Sequence, residues 1–131
     1  MVREDKTILD VGANIGTETV AFAQIVPRGR VVAIEPEARN LEWLERNTRL
    51  NALENVAIVP CAVSDRPEKI QLEGYHSGNT GLVHAVPSKK GGIEGRTLDQ
   101  VYLSLERPEV SYVHIDVEGF EARVLKGGAG K

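Results

Sequence analysis

The chain has 131 residues, 41% of them hydrophobic and 27% charged, with a formal net charge of -3. This length predicts a single domain over residues 1–131, and the composition is that of a globular protein. The slightly acidic balance gives no general attraction to nucleic acid or to an anionic membrane. No apolar run approaches the roughly 18 residues of a membrane-spanning helix, and no signal-peptide core is present, so a cytoplasmic location is expected. Cys61 is the only cysteine, which excludes an intrachain disulfide.

The first half of the chain alternates strand-like and helix-like segments. Short apolar or β-branched runs predict strands, and longer amphipathic or alanine-rich runs predict helices between them. The expected strands are Lys6 to Val11, Arg30 to Ile34 and Val56 to Val63, and the expected helices are Gly16 to Val26 and Glu37 to Leu50. This alternation implies a parallel sheet with right-handed crossovers.

The second half is less regular, and its glycines and short apolar runs predict a hairpin, two loops and a final strand and helix. The expected elements are a strand at Lys69 to Glu73, a loop at Gly74 to Gly81, a hairpin partner at Leu82 to Val86, a mobile polar segment at Ser88 to Gly95, a short helix from Thr97, a strand at Val110 to Val117 and a helix at Phe120 to Lys126. His76 and His84 flank the first loop without a clear third ligand, so no metal site is predicted.

The segment from Asp10 to Gly16 carries the clearest chemical signal. Asp10 ends the first strand, Gly12 permits a tight turn, and Gly16 lets the following helix pack close to the strand. The N-terminus of that helix offers unpaired backbone N–H groups to an anion. Glu35 ends the second strand about 20 residues later, where a carboxylate accepts hydrogen bonds from ribose hydroxyls. The spacing therefore predicts a nucleoside-bearing ligand at the carboxyl edge of the sheet.

Asn14 decides which nucleoside ligand is favoured. The dinucleotide fingerprint has a glycine at this middle position, where pyrophosphate crowds the backbone. Asn14 therefore argues against a nicotinamide-dependent oxidoreductase, which remains a less favoured alternative, and suits a smaller anion better.

The same segment resembles motif I of class I S-adenosylmethionine-dependent methyltransferases, and Glu35-Pro36 matches their second motif. More narrowly, the chain resembles the FkbM-type methyltransferase family. The resemblance rests on segments that run in order along nearly the whole chain: Ala33 to Pro36, Asn51 to Val56, Ala62 to Asp65, Gly78 to Gly81, Arg96 to Asp99, Ile115 to Glu121 and Val124 to Gly127.

The resemblance implies a doubly wound, Rossmann-like α/β fold and methyl transfer to a hydroxyl of a sugar or small molecule. The expected core order is 3-2-1-4, in a mostly parallel sheet with a small hairpin. In the family pattern, Asp10, Gly12, Asn14 and Gly16 belong to the motif that holds the methionine part of S-adenosylmethionine, and Glu35 holds the ribose. Ala62, Ser64 and Asp65 are expected to border the adenine.

Asp116 and Glu118 are expected, by the same resemblance, beside the methyl group and the acceptor. Both fall on one side of the last strand if its two-residue period continues that far. They are candidates for a general base, an acceptor hydrogen-bond partner or a counter-charge to the sulfonium, and a role in capping the next helix is the structural alternative. His114 lies where the family often has lysine. It is either a third catalytic candidate, a general base, or a histidine that packs within the sheet.

The chain stops earlier than family members usually do. The last strand, Val110 to Val117, would then form an open apolar edge, which invites pairing with another chain. A homodimer or an exchanged assembly through that edge is expected, or else a fragment that is poorly stable alone. A domain that binds S-adenosylmethionine without catalysing methyl transfer is the alternative function.

Overall fold

The structure is a computed structural model that describes residues 4–73, 84–87, 92–106, 109–117 and 121–128. The chain divides into two compact units. The first comprises Met1–Pro60 and Glu109–Ile115, and the second comprises Cys61–Pro108 and Asp116–Lys131.

The first unit is a parallel sheet with two helices. Its elements are β1 (Thr7–Val11), α1 (Thr17–Ile25), β2 (Arg30–Ile34), α2 (Ala38–Leu50), β3 (Val56–Val59) and, from the later part of the chain, β8 (Val110–Ile115). The strand order is β3-β2-β1-β8, and every neighbouring pair is parallel. The chain leaves β1 toward β2 on one side and returns with β8 on the other. The switch point of the sheet, where open α/β sheets bind ligands, therefore lies between β1 and β8.

The core of the first unit follows from the apolar residues of β1 and β2, which are interrupted by Thr7, Asp10 and Arg30. All five residues of β1 are buried, as expected for a strand covered on both faces. One cluster joins Ile8 and Val31 to Ala23 and Val26 of the α1 region, and another joins Ala13 and Ala33 to Leu44 of α2. The sheet therefore has one helix packed beside each cluster.

The second unit contains a smaller mixed sheet. Its elements are β4 (Ala62–Ser64), β5 (Glu68–Glu73), β6 (His84–Pro87), β7 (Ile93–Thr97), α3 (Leu98–Ser104) and α4 (Glu121–Gly127). The order is β4-β7-β5-β6, with β4 parallel to β7 and the other pairs antiparallel. Thr97 and Gln100 form a reciprocal capping box at the start of α3. None of the helices in the described segments is long and apolar enough to cross a bilayer.

The predicted α/β class, the parallel core order and the antiparallel β5–β6 hairpin are confirmed. The single third strand from Val56 to Val63 is wrong, because β3 ends at Val59 and Ala62–Ser64 pairs instead in the second sheet. The predicted loop from Ser88 to Gly95 is wrong at its end, where Ile93 to Gly95 belong to β7. The predicted loop from Gly74 to Gly81 lies outside the described residues, as does His76.

Candidate functional site

The turn after β1 is fixed by hydrogen bonds to the end of β2. The backbone N–H groups of Gly12 and Ala13 both donate to the Ile34 carbonyl, at 2.9 and 3.1 Å. Gly12, Asn14 and Gly16 have φ values of 81°, 57° and 99°, in the left-handed region. Glycine enters this region at little cost, and asparagine is among the few other residues that tolerate it. The residues predicted from the motif therefore form one tight turn against β2.

Glu35 lies directly beside this turn. Its Oε1 accepts a 2.8 Å hydrogen bond from the Asn14 N–H, and its Oε2 accepts a 2.9 Å bond from the Glu37 N–H. Burial raises the pKa of Glu35 above its ordinary value, and the two backbone donors oppose that rise. Oε1 has capacity for another donor, so Glu35 presents an acceptor suited to a hydroxyl group of a ligand.

Residues at the start of α2 form further hydrogen bonds with Glu35 and with one another. Asn40, which is buried, donates from Nδ2 to Glu35 Oε2 at 3.4 Å. The buried Glu37 carboxylate caps α2 by accepting from the Asn40 N–H at 2.7 Å. Asn40 Oδ1 is buried without a hydrogen-bond partner among the described residues. An orphaned buried acceptor is costly, so this oxygen suits a donor brought by a ligand or a water molecule.

Helix α2 also holds the far end of the glycine turn. Asn47 donates from Nδ2 to the Ile15 carbonyl at 2.7 Å. A Cβ atom added at Gly16 would lie 2.8 Å from Leu44 Cδ1, so the turn approaches α2 too closely for a side chain. No described side chain caps α1, whose N-cap is Gly16. The first N–H groups of α1 are thus available to an anion, as the motif predicts.

Asp10 takes part in a separate buried cluster. Its Oδ2 accepts a 2.6 Å hydrogen bond from Thr19 Oγ1 of α1, and its Oδ1 lies 3.1 Å from His114 Nδ1 of β8. Asp10 and Thr19 are both fully buried. Burial raises the pKa of Asp10, and the bonds from Thr19 and His114 oppose the rise. Both oxygens of the predicted cofactor ligand Asp10 are therefore engaged within the protein.

The residues predicted to border the adenine belong to the second unit. Ala62 and Ser64 are buried in β4, a separate strand that pairs with β7, and are not part of the end of β3. Asp65 accepts from Arg123 of α4, at 3.0 Å from Nε and 2.7 Å from Nη2. This guanidinium lowers the pKa of Asp65 to about 2. The contact of these three residues with adenine stays a prediction.

The final strand ends at Ile115, which is earlier than expected. The two-residue period therefore does not carry Asp116 onto the same side as His114. Asp116 is exposed and belongs to the second unit, and Glu118 lies outside the described residues. Their roles at the acceptor stay predictions.

Sequence reasoning missed three residues of the first unit: Thr19, Asn40 and Asn47. Thr19 shares the buried face of α1 with Ala23, so its helical position was a usable signal for a contact with β1. Asn40 and Asn47 both lie on α2, and the Asn47 side chain contacts a carbonyl 32 residues away along the chain. Sequence spacing alone does not reveal such contacts.

Known proteins share the sequence pattern of this chain. The family model "Methyltransferase FkbM domain" matches residues 10–131. The 2-O-methyltransferase NoeI of Sinorhizobium fredii is 24% identical over 144 residues, covering 96% of this chain and 58% of that protein. The hexuronic acid methyltransferase AglP of Haloferax volcanii is 29% identical over 133 residues, covering 95% and 50%. The chain thus spans about half the length of these curated relatives.

A solved structure, methyltransferase FkbM from Methylobacillus flagellatus, superposes with a TM-score of 0.63 at 19% identity, covering 98% of this chain and 30% of that one. This likeness confirms the fold. Because the family model covers both units and begins at Asp10, the first residue of the predicted motif, the chain belongs to the FkbM methyltransferase family.

Proposed function

We propose that this chain is an S-adenosylmethionine-dependent methyltransferase domain that methylates a hydroxyl oxygen of a sugar or a small molecule. The observation that carries the proposal is the Glu35 carboxylate, held by the Asn14 and Glu37 N–H groups beside the glycine turn. The remaining acceptor site on Oε1 suits a ribose hydroxyl of the cofactor. The orphaned Asn40 Oδ1 next to Glu35 fits a site completed by a ligand donor.

Within this proposal the protein binds and orients two reactants. The turn from Gly12 to Gly16 and the N-terminus of α1 hold the methionine part, and Glu35 holds the ribose. Bound S-adenosylmethionine would supply an activated methyl group for the acceptor oxygen, and a base of the protein would take the acceptor proton. The name of AglP, a hexuronic acid methyltransferase, favours a carbohydrate acceptor, and that of NoeI, a 2-O-methyltransferase, favours an oxygen acceptor.

Asp116 and Glu118 are proposed to orient the acceptor. In that role, Asp116→Asn lowers turnover while the affinity for S-adenosylhomocysteine stays as in the wild type. Equal loss of turnover and affinity would instead place Asp116 on the cofactor. An unchanged turnover would remove Asp116 from the site.

Calorimetric titration with S-adenosylhomocysteine tests the cofactor site, with NAD as the comparison ligand. We expect S-adenosylhomocysteine to bind and NAD not to bind. Glu35→Ala removes charge-assisted hydrogen bonds and is expected to weaken binding by roughly 10- to 100-fold, since such bonds contribute about 1.5–3 kcal/mol. Glu45→Ala removes the same charge from an exposed position of α2 and serves as the matched control.

Selective binding of NAD would contradict the proposal and favour an oxidoreductase. A folded chain that binds neither ligand would also contradict it. Binding without methyl transfer to any member of a panel of neutral sugars and hexuronic acids would favour the non-catalytic alternative.

A further inference from the structure

A series of hydrogen bonds in the first unit joins Thr19, Asp10 and His114. It is separate from the hydrogen bonds around Glu35, and these residues take no part in the cofactor contacts proposed above. Thr19 Oγ1 donates to Asp10 Oδ2, and Asp10 Oδ1 meets His114 Nδ1. We propose that His114 is the general base of this domain, that Asp10 and Thr19 are its positioning residues, and that the acceptor group is therefore a hydroxyl rather than a carboxylate. This inference rests on the proposed function.

The position of the pair in the sheet is the first support. Asp10 and His114 are register partners on β1 and β8, the two strands on either side of the switch point. Both lie next to the carboxyl ends of their strands, since β1 ends at Val11 and β8 at Ile115. Ligands of open α/β sheets bind at this place.

The exposure of the side chain distinguishes Asp10 from His114. The Asp10 side chain is 1% exposed, whereas the His114 side chain is 27% exposed. The imidazole is therefore the member that a ligand can reach, and the carboxylate acts through it. The Phe22 ring of α1 meets the imidazole edge-on, with centroids 5.5 Å apart, and restricts its rotation.

The hydrogen bonds favour one tautomer of His114. An ionised Asp10 only accepts hydrogen bonds, and Thr19 occupies its Oδ2. Oδ1 therefore takes a proton donated by His114 Nδ1, which leaves Nε2 unprotonated in the neutral ring. An aspartate–histidine pair with this tautomer is the arrangement that makes imidazole a base in serine proteases.

The elements around His114 are β1, α1 and β8, and their titratable side chains other than Asp10 are Glu18 and Tyr112. Glu18, in the first turn of α1, raises the pKa of Asp10 through its charge. Tyr112 lies two residues before His114 on β8 and packs edge-on against Phe22. Asp10 is the group in hydrogen-bond contact with the ring.

This arrangement has a consequence for the acceptor. A hydroxyl keeps its proton at neutral pH, so its methylation gains from transfer of that proton to His114 Nε2, from which water later removes it. A carboxylate acceptor is already ionised and gains nothing from a base. Transfer to a hydroxyl therefore needs His114 Nε2 and yields a methyl ether, whereas transfer to a carboxylate does not need it and yields a methyl ester.

Nitrogen NMR of the His114 ring tests the positioning role without any acceptor. In the 131-residue chain we expect the neutral ring to carry its proton on Nδ1. Asp10→Asn presents an amide in place of the acceptor and is expected to shift the ring toward the Nε2–H tautomer, and Thr19→Val to mix the two. Thr48→Val, another buried threonine on a helix, is the control that leaves the ring unchanged. An Nε2–H tautomer in the wild type, or no change in Asp10→Asn, would overturn the positioning role.

His114→Asn tests the base itself. Asparagine retains a donor in the place of Nδ1, so the tie to Asp10 persists, but it has no Nε2. We expect kcat/KM toward methyl glycosides of neutral hexoses to fall by about 100-fold or more, with unchanged affinity for S-adenosylhomocysteine. Full activity in His114→Asn, or formation of methyl esters of hexuronic acids without methyl ethers, would overturn the proposal. Failure of the wild type to bind S-adenosylhomocysteine would contradict the proposed function instead. The ring tautomer would still test whether Asp10 and Thr19 position His114.

Discussion

Asp65 shows how neighbouring cations determine the electrostatics of a predicted site residue. The Arg123 guanidinium contacts both Asp65 and Glu68 of the second unit. Ser64 Oγ adds a 3.2 Å hydrogen bond to Asp65 Oδ1. Arg123, together with Arg66, favours the ionised carboxyl and holds the pKa of Asp65 at about 2, well below its usual 3.8. A carboxylate in this environment stabilises the fold whether or not it also borders a ligand.

This pairing predicts a pH-dependent contribution to stability. Because the pKa of Asp65 is lowered on folding, its contribution is complete above about pH 4 and is lost as the pH falls toward 2. Asp65→Asn is therefore expected to lower Tm at pH 5, with a difference from the wild type that shrinks as the pH approaches 2. Thermal unfolding followed by circular dichroism measures it, with Glu54→Gln as an exposed-site control. A difference that does not depend on pH would contradict the ion-pair explanation.

The site residues that the sequence predicted best are those fixed by local geometry. Glu35 and the turn from Gly12 to Gly16 were predictable because strand ends and glycine spacing determine their positions. The contact of Asp10 with His114 was not, since it joins residues 104 positions apart through the β1–β8 register. The burial of Asn40 Oδ1 without a partner likewise depends on how α2 packs beside Glu35.

At the scale of elements, the wrong predictions concern residues whose sequence pattern is compatible with two kinds of structure. Val56 to Val63 is apolar throughout except for Pro60, but proline cannot donate to a sheet ladder and marks the change of sheet. Gly95 lies within β7, although glycine is usually rare in strands. A Cβ atom there would lie 2.7 Å from Ile70 Cδ1 and 2.9 Å from the Glu68 carbonyl oxygen of β5. The glycine that suggested a loop is required by close strand packing.

The start of α1 offers a prediction at this scale. Gly16 has φ of 99° and packs on Leu44, which is fully buried. Gly16→Ala is expected to cost about 1–2 kcal/mol for the left-handed backbone, with an added cost from the contact with Leu44 Cδ1. Urea unfolding of the wild type and the variant measures the loss.

A double-mutant cycle with Leu44→Ala separates the two costs. We expect the double variant to be more stable than the sum of the single losses predicts, by about 0.5 kcal/mol or more, because the smaller side chain relieves the contact. Strict additivity would show that the backbone conformation alone accounts for the cost of Gly16→Ala.

At the scale of the whole molecule, the sheet edge at β8 is the feature with the largest consequence. β8 pairs with β1 on one side, and no described strand pairs with its other side. Tyr112, near the middle of β8, is 44% exposed. An extended edge with unpaired backbone N–H and C=O groups is a template for another strand.

We therefore expect two copies of this chain to associate through β8. Sedimentation equilibrium at micromolar concentration should give the mass of a dimer. Ser111→Lys places a charge at an exposed position of the edge strand, and charges at such edges oppose strand pairing, so this variant should shift the equilibrium toward the monomer. Gln24→Lys adds the same charge to the exposed face of α1 and should leave the dimer intact. A folded wild-type monomer, or equal dissociation of both variants, would contradict pairing through β8, and the edge would then need no partner for the fold to persist.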